Sequence, residues 1–444
     1  MKVSTLPFDP GPPVWKILAG EFPKFPCIDG DIRTDVAIVG AGFAGVSAAR
    51  RLRQLDSSIR ITLIEARHIC DGSSGRNSGF MIDLPHNLGA ADYVGQLEND
   101  IRQIKLSRHA IEFARDAAEQ YQMPKEAFDV AGKVNAAATQ TGLKHNQEYA
   151  AHLTRLGESH EILDQDQMHE ICGSRYYLGG LYTPGNGVIK PGMYFSSFAR
   201  GLHQSDIDIF VHSPVTRLAK VGSVWRLETP QGSIEADKVI LTVNGHIESF
   251  GYFRRRLMHL YLFGSMTRRL TPHEVKTLGG MPSWGFTPAD SLGSTVRRIT
   301  DTGGDRIVIR NSVAWSQSRS ISNSHLTKVV KPHDHAFRRR FPQLAHVEME
   351  YRWGGLLCLS RNAVPAFGEL EPGLYCACCQ NGLGVCQGTL HGKLIAQLAY
   401  GQESDELNYV MRQPTPKKLP PQPFFSIGAN AVTRWGEFRA GKER

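Results

Sequence analysis

The sequence predicts an α/β chain, α+β overall: a Rossmann-type domain and a second, mostly antiparallel β-sheet domain, interleaved along the chain. Three observations carry this. A glycine-rich βαβ pattern occupies residues 35–65, aromatic strand-like runs alternate through residues 251–344, and a second strand, glycine loop and helix return at residues 374–398.

In the first pattern, Val36 to Val39 form a continuous apolar run, as a buried parallel strand requires. Gly40, Gly42 and Gly45 follow in the spacing G-x-G-x-x-G. The first glycine permits a tight turn, the second lets backbone approach a pyrophosphate, and the third lets the next helix pack on the strand with its N-terminus facing the phosphates. Ser47, Ala48 and Ala49 keep that helix close. A second strand, Ile61 to Ile64, ends in Glu65, where a carboxylate can meet an adenosine ribose. The set points to an ADP-containing dinucleotide, NAD or FAD.

Further along, residues 1–33 are rich in Pro and Gly and read as an extended lead-in, and HICDGSSGRNSGF (residues 68–80) reads as a long loop. Residues 92–122 have helical periodicity through Ile101, Ile104, Ala110 and Phe113. A strand is expected over 127–140, a helix over 141–157, a helix from Pro191, strands around Trp225 and Ile234, and the apolar strand KVILTVNG ending in Asn244 and Gly245. The runs Leu260 to Thr267, Thr295 to Thr300 and Arg306 to Arg310 suit an antiparallel sheet, with a helix before Phe341.

At 444 residues the chain exceeds one ordinary core, and 41% hydrophobic with 21% charged residues is a globular composition. No apolar run reaches the roughly eighteen residues that span a bilayer, and no signal segment opens the chain, so a cytoplasmic location is expected. Eight cysteines show no disulfide-framework spacing. Four of them lie in YCACCQNGLGVC, where C-x-C-C on an apolar strand reads as packing, so no metal is expected. The net charge of +8 comes from scattered groups, including Arg254 to Arg256, without a basic stripe interleaved with aromatics, so no nucleic-acid partner is expected.

The second glycine loop, NGLGVCQGTLHG, places Gly382, Gly384, Gly388 and Gly392 at a helix start. Such an N-terminus offers free amides and partial positive charge to an electron-rich ring. A reduced flavin is such a ring, whereas nicotinamide needs no such feature, and FAD is therefore favoured over NAD.

The combination of GAGFAG, Glu65, GSSGRNSG, VILTVNGHIESFG and WGG…SRNAVPAFGEL…GLYCACCQNGLG resembles the D-amino-acid-oxidase superfamily of FAD-dependent oxidoreductases, and within it the γ-glutamylputrescine oxidase-like branch, from residue 10 to 410. The resemblance implies an FAD-binding domain of residues 1–92, 186–250 and 345–410, a substrate-binding domain of 93–185 and 251–344, and an extended tail over 411–444. It implies that Gly40, Gly42, Phe43, Ala44 and Gly45 cradle the pyrophosphate, and that Glu65, with Ala66 and Arg67 after it, binds the ribose. Ser74, Arg76, Asn77, Ser78 and Gly79 would run past the phosphates and the isoalloxazine, and Val215 would meet the adenine through its backbone. Asn244 and Gly245 would also touch the cofactor, and Gly355, Gly382, Leu383, Gly384 and Val385 would border the ring. Candidates for the substrate pocket are Met81, Tyr261, Phe263, Arg297 and Trp353.

The chain departs from that pattern in three places. Leu383 replaces the polar middle residue of the C-terminal loop, Cys386 stands where sarcosine oxidases carry a lysine for a substrate carboxylate, and Val296, Arg297 and Arg298 replace two aromatics and an arginine. No cysteine or histidine matches a position of covalent attachment, so FAD is expected to be non-covalent.

The expected activity is oxidation of the C–N bond of a small-molecule amine or amino acid. A hydride passes to flavin N5, and the imine then hydrolyses to an aldehyde or keto acid. Oxygen or a quinone takes the electrons. The chemistry lies in the cofactor, which accounts for the lack of a nucleophile motif, and no catalytic residue is assigned. A flavin-binding assembly or modification factor without free-amine turnover is the alternative.

Overall fold

The computed structural model describes residues 2, 3, 6–85 and 97–444. The expected helix over 92–122 appears as Leu97–Gln120, its first positions and the 92/93 domain boundary lying outside the described residues.

One sheet carries the strands Arg217–Val221, Val224–Thr229, Gly232–Leu241, Gly30–Val39, Ile61–Ile64 and Asp208–Phe210 in that order. Gly30–Val39, Ile61–Ile64 and Gly232–Leu241 run parallel, and Leu374–Cys378 joins in parallel beside Val239 to Leu241. Because these strands are buried on both faces, they read as unbroken apolar runs rather than alternating ones. The helices Phe43–Leu55, Pro191–Gln204 and Gly384–Tyr400 contribute to the core cluster built on Val36, Ile38, Ile61 and Leu63.

The second sheet runs Met349–Ser360, Leu257–Thr267, Arg306–Trp315, Thr295–Ile299, Trp284–Pro288, Lys133–Ala137, Gly179–Thr183 and Glu161–Leu163. Only Trp284–Pro288 and Lys133–Ala137 pair in parallel. The helix His325–Arg340 covers one face through Val329, Ala336 and Phe337. Among the described residues no helix is long and apolar enough to cross a membrane.

Two expectations are corrected. Met349–Ser360, placed with the nucleotide domain inside 345–410, pairs along its length with Leu257–Thr267 and so belongs to the second sheet. Its alternating buried and half-buried positions are those of a strand with one face open, unlike the doubly buried strands of the first sheet. Residues 411–444 are not an extended tail, since Phe424–Ala440 is a helix. Beyond the prolines of KKLPPQP, the small residues Ala429, Thr433, Gly436 and Ala440 recur at helical spacing and let that helix lie close on Arg306–Trp315. Glu443 behind it is buried and accepts hydrogen bonds from Ala138 N (2.9 Å) and Thr139 Oγ1 (2.7 Å).

Candidate active site

Gly40 turns the chain at the end of its strand with φ +102°, which favours glycine. A Cβ on Gly45 would lie 1.8 Å from the Gly40 carbonyl oxygen, and one on Gly42 2.7 Å from Ser74 Oγ. The loop is therefore a cradle that side chains would fill. Gly42 caps the helix Phe43–Leu55 without any side-chain cap, while Phe43 N donates to Ser74 Oγ at 3.3 Å. Glu65 ends the second strand. Its Oε2 accepts from Ala41 N (3.0 Å) and its Oε1 from Arg67 N (3.1 Å), while burial pushes the carboxyl above its ordinary range. Ala66 lies between them, half-buried, and Ser213 N donates to the Glu65 carbonyl at 3.0 Å, which brings the Val215 loop alongside.

The second loop leaves the parallel strand Leu374–Cys378 through positive φ at Cys379, Asn381 and Gly382. Leu383 then caps the helix Gly384–Tyr400 without a side-chain hydrogen bond, and a Cβ on Gly384 would meet nothing within 4 Å. Val385 is buried against the core behind it. Gly388 and Gly392 set this helix on Phe43 and Ala44. Two uncapped helix N-termini thus stand side by side at the carboxyl edge of the parallel strands, an arrangement that attracts anions and electron-rich groups.

Between them runs the loop Ser74 to Gly79. Asn77 Nδ2 donates to the Ser74 carbonyl (2.6 Å), and Gly79 N donates to Asn77 Oδ1 (2.8 Å). Arg76 does not point to this cradle. Its Nη1 donates to the carbonyls of Pro10, Gly11 and Gly354, so it ties the loop to the N-terminal segment and the second sheet. A Cβ on Gly355 would lie 2.9 Å from Arg76 Cβ. Trp353 Nε1 donates to the Arg76 carbonyl at 3.0 Å, making Trp353 a brace for the loop.

Arg297 is buried, and burial pushes its pKa down to about 9. Its Nη1 donates to the carbonyls of Ser78 (3.1 Å) and Ile189 (2.6 Å), and the guanidinium lies over the Trp15 ring. It stands behind Gly79, whose Cβ position is 2.3 Å from Arg297 Nη1. Met81 is fully buried, in the short strand paired with Gly187.

Unlike Trp353, the other two aromatic candidates lie on the face of the second sheet under the helix His325–Arg340. Tyr261 and Phe263 cluster with Val329, Ile321 and Leu356 under the helix His325–Arg340, and Tyr261 Oη donates to the carbonyls of Phe8 and Arg319, each at 2.8 Å. Side chains alternate along a strand, and directly paired residues share a face. The opposite face therefore carries Leu260 paired with Leu357 and Trp315, and Leu262 paired with Gly355 and Val313. These residues are half-buried, and Gly355 joins their row to Arg76 and the cofactor loop. Sequence reasoning missed the row because Leu260–Phe263 is a run of large, largely apolar side chains, so periodicity gives no facing.

Asn244 follows the central parallel strand with φ +48°, and Thr242 Oγ1 ties this turn to the Gly40 carbonyl at 2.8 Å. Among the described residues, Asn244 Oδ1 and both ring nitrogens of His246 are buried without a hydrogen-bond partner. Burial, with Arg319 and Arg67 nearby, pushes His246 down to about 4. Gly245 packs on His259, its Cβ position 2.7 Å from the ring. Unmet polar atoms beside a glycine cradle and two uncapped helices fit a polar dinucleotide.

Fold and site together define a dinucleotide-dependent oxidoreductase, with a glycine cradle at the carboxyl edge of a parallel sheet beside a second, mostly antiparallel sheet. The chain belongs to the DAO family of FAD dependent oxidoreductases, whose pattern matches residues 35–398. It is similar to the probable oxidoreductase OrdL of Rhizobium meliloti, 26% identical over 414 residues and 90% of each chain. It is also similar to gamma-glutamylputrescine oxidoreductase of Escherichia coli, 23% identical over 391 residues, 86% of this chain and 87% of the other. Among solved structures, glycine oxidase from Geobacillus kaustophilus superposes with a TM-score of 0.70 at 17% identity, covering 88% of this chain and all of that one, a likeness of fold. The cofactor class expected from the second glycine loop, FAD, is that of the family.

Proposed function

We propose that this enzyme oxidises the C–N bond of an amine that binds uncharged on the row Leu260, Leu262 and Leu357, against the two glycine loops. The observation that carries this reading is the row itself: half-open, apolar and without a titratable side chain. An ammonium placed on these apolar side chains would lose its hydration, and the nearby Glu437 carboxylate is already held by Val313 N and Arg444, so the neutral amine is the form that binds. The row orients the amine and keeps water from its reacting carbon. FAD, when bound, would supply the two-electron acceptor for the C–N bond, and the resulting imine would hydrolyse to an aldehyde or keto acid.

Three details support the cofactor placement. Glu65 and the Gly40 to Gly45 loop fit the adenosine and pyrophosphate, the Asn244 and His246 turn offers unmet polar atoms, and the amides of Gly384 and Val385 would be available to the electron-rich end of the ring. Non-covalent binding is supported by the thiols: Cys386 Sγ donates to the Ser107 carbonyl, and Cys358 is paired with His259 on the face away from the row. The relative named gamma-glutamylputrescine oxidoreductase supports an amine over a free amino acid.

The test is anaerobic mixing of the yellow holoenzyme with polyamines, γ-glutamyl amines, N-methyl amino acids and D-amino acids. Bleaching of the flavin band by an amine group supports the proposal. A flavin that none of them reduces favours an assembly factor without turnover. Readmitting oxygen, or adding a short-chain quinone, identifies the acceptor by which one restores the band.

A further inference from the structure

The C-terminal helix Phe424–Ala440 is inverted with respect to the fold. Apart from Phe425, its inner face is small and polar. Phe425 packs edge-on against Trp315 (4.7 Å), Ser426 Oγ accepts from Trp315 Nε1 (3.2 Å), Glu437 Oε1 accepts from Val313 N (3.1 Å), and Gly436 lies on Leu292. Its outer face carries the large apolar residues Phe424, Ile427, Val432, Trp435 and Phe438, which are 63% to 77% exposed. At 100° per residue, Phe424, Ile427, Ala431, Trp435 and Phe438 form one stripe, the reverse of what a globular surface requires.

The charges beside the stripe are of one sign. Arg434 and Arg439 flank it on either edge, the latter also 3.5 Å from Asp290. The helix's one acid, Glu437, is turned inward onto Val313 N and Arg444. Just before the helix, the chain is pinned to a distant turn: Leu419 N donates to the Arg255 carbonyl (2.8 Å), and Arg256 Nη1 to the Pro416 carbonyl (2.6 Å). That pinning sets exposed Lys417 and Lys418 beside Arg254 and Arg255, which are scattered in the sequence.

The geometry points to an anionic lipid surface as the partner of this helix, which lies in the membrane interface with its aromatic stripe in the acyl boundary and the arginines at headgroup level. Aromatic residues on one face, arginines at its margins and a neighbouring basic cluster are the two attachments that stable peripheral binding needs. A second copy of the chain fits less well. A helix of seventeen residues is about 25 Å long and about 10 Å wide, so its stripe offers roughly 250 Å², against about 800 Å² per partner in a stable dimer. Two-fold pairing would also oppose arginines to arginines.

The test is co-sedimentation of the holoenzyme with vesicles of phosphatidylcholine alone and of phosphatidylcholine with one-third phosphatidylglycerol. The expected result is binding to the anionic vesicles that is at least tenfold stronger than to the neutral ones and weakens with salt. The exposed double variant Trp435→Ser with Phe438→Ser should lose at least tenfold, and Lys417→Glu with Lys418→Glu should remove the preference for anionic lipid, both with unchanged flavin absorbance and melting temperature. Equal sedimentation of the parent and the Trp435→Ser, Phe438→Ser variant, or no binding to either vesicle, overturns the proposal. So does a dimer in sedimentation velocity, without lipid, that the same variant converts to monomer.

Discussion

Gly392 lies so close to Ala44 that a Cβ on it would sit 2.2 Å from the Ala44 carbonyl oxygen and 2.8 Å from Ala44 Cα. That contact fixes the distance between the two helices whose N-termini form the proposed cofactor site. Gly392→Val therefore pushes rigid backbone rather than a flexible side chain. We expect a loss of about 1–3 kcal/mol in stability from the overpacking. The two N-termini also separate, so the ratio of flavin to protein absorbance after purification should fall by at least half. A variant that melts lower yet keeps full flavin content would show that this spacing serves packing alone.

Glu65 gives a sharper test of the nucleotide end. Its carboxylate holds the amides of Ala41 and Arg67, and Glu65→Ala leaves both without that acceptor. Hydrogen bonds to a charged group contribute about 1.5–3 kcal/mol, so FAD affinity measured by titrating the apoprotein should weaken about tenfold to a hundredfold. Glu65→Gln, which keeps one acceptor oxygen, should fall between the two.

On the proposed function, the two faces of the strand Leu257–Thr267 separate substrate site from core. Leu357→Arg places a cation on the row opposite Leu260, so kcat/KM for neutral amines should fall at least tenfold with little change in melting. Tyr261→Phe removes the hydroxyl that serves Phe8 and Arg319, so stability should drop by about 1–2 kcal/mol while KM is kept. A large KM change in Tyr261→Phe would return that residue to the pocket.

Where the sequence was legible, one residue type answered one physical need. Gly40, Gly42 and Gly45 are demanded by close backbone approaches, and each finds the neighbour that its missing Cβ allows. The parallel strands declare themselves because burial on both faces permits only apolar residues. Facing was not legible, since Tyr261 and Leu262 are both large and largely apolar and a one-residue shift exchanges the buried face for the half-buried one. Nor was the fate of Arg76, Arg297 and Trp353. A charged or indole side chain beside a cofactor loop can hold the ligand or hold the loop, and here they bond to carbonyls of Gly354, Ser78 and Arg76 respectively. The C-terminal helix was hidden by the prolines before it.

Four buried histidines should weaken the fold in acid. Burial pushes His246, His259 and His391 down to about 4 and His333 to about 3, from an ordinary value of 6.5. His333 shows why. Its Nδ1 lies 2.6 Å from the Ser265 hydroxyl and its Nε2 3.2 Å from the Asn311 carbonyl, while Arg352 Nη1 already donates to Ser265 Oγ. The neutral ring accepts at one nitrogen and donates at the other, and a second ring proton would face a donor. Between pH 6.5 and about 4 the unfolded chain therefore binds protons that the folded chain does not. The stability these groups contribute is complete above pH 6.5 and is lost as pH falls toward their folded values. Each such proton adds about 1.4 kcal/mol per pH unit to the slope of unfolding free energy. Denaturant melts from pH 6.5 to 4.5 should show the histidines pulling stability down as pH falls, partly offset by the buried carboxyls of Glu65, Asp83 and Glu443, which burial raises, and His333→Gln, although less stable at pH 7, should make the fall shallower by up to about one proton. A slope unchanged in His333→Gln would mean that the ring is already protonated in the fold, against its hydrogen bonding.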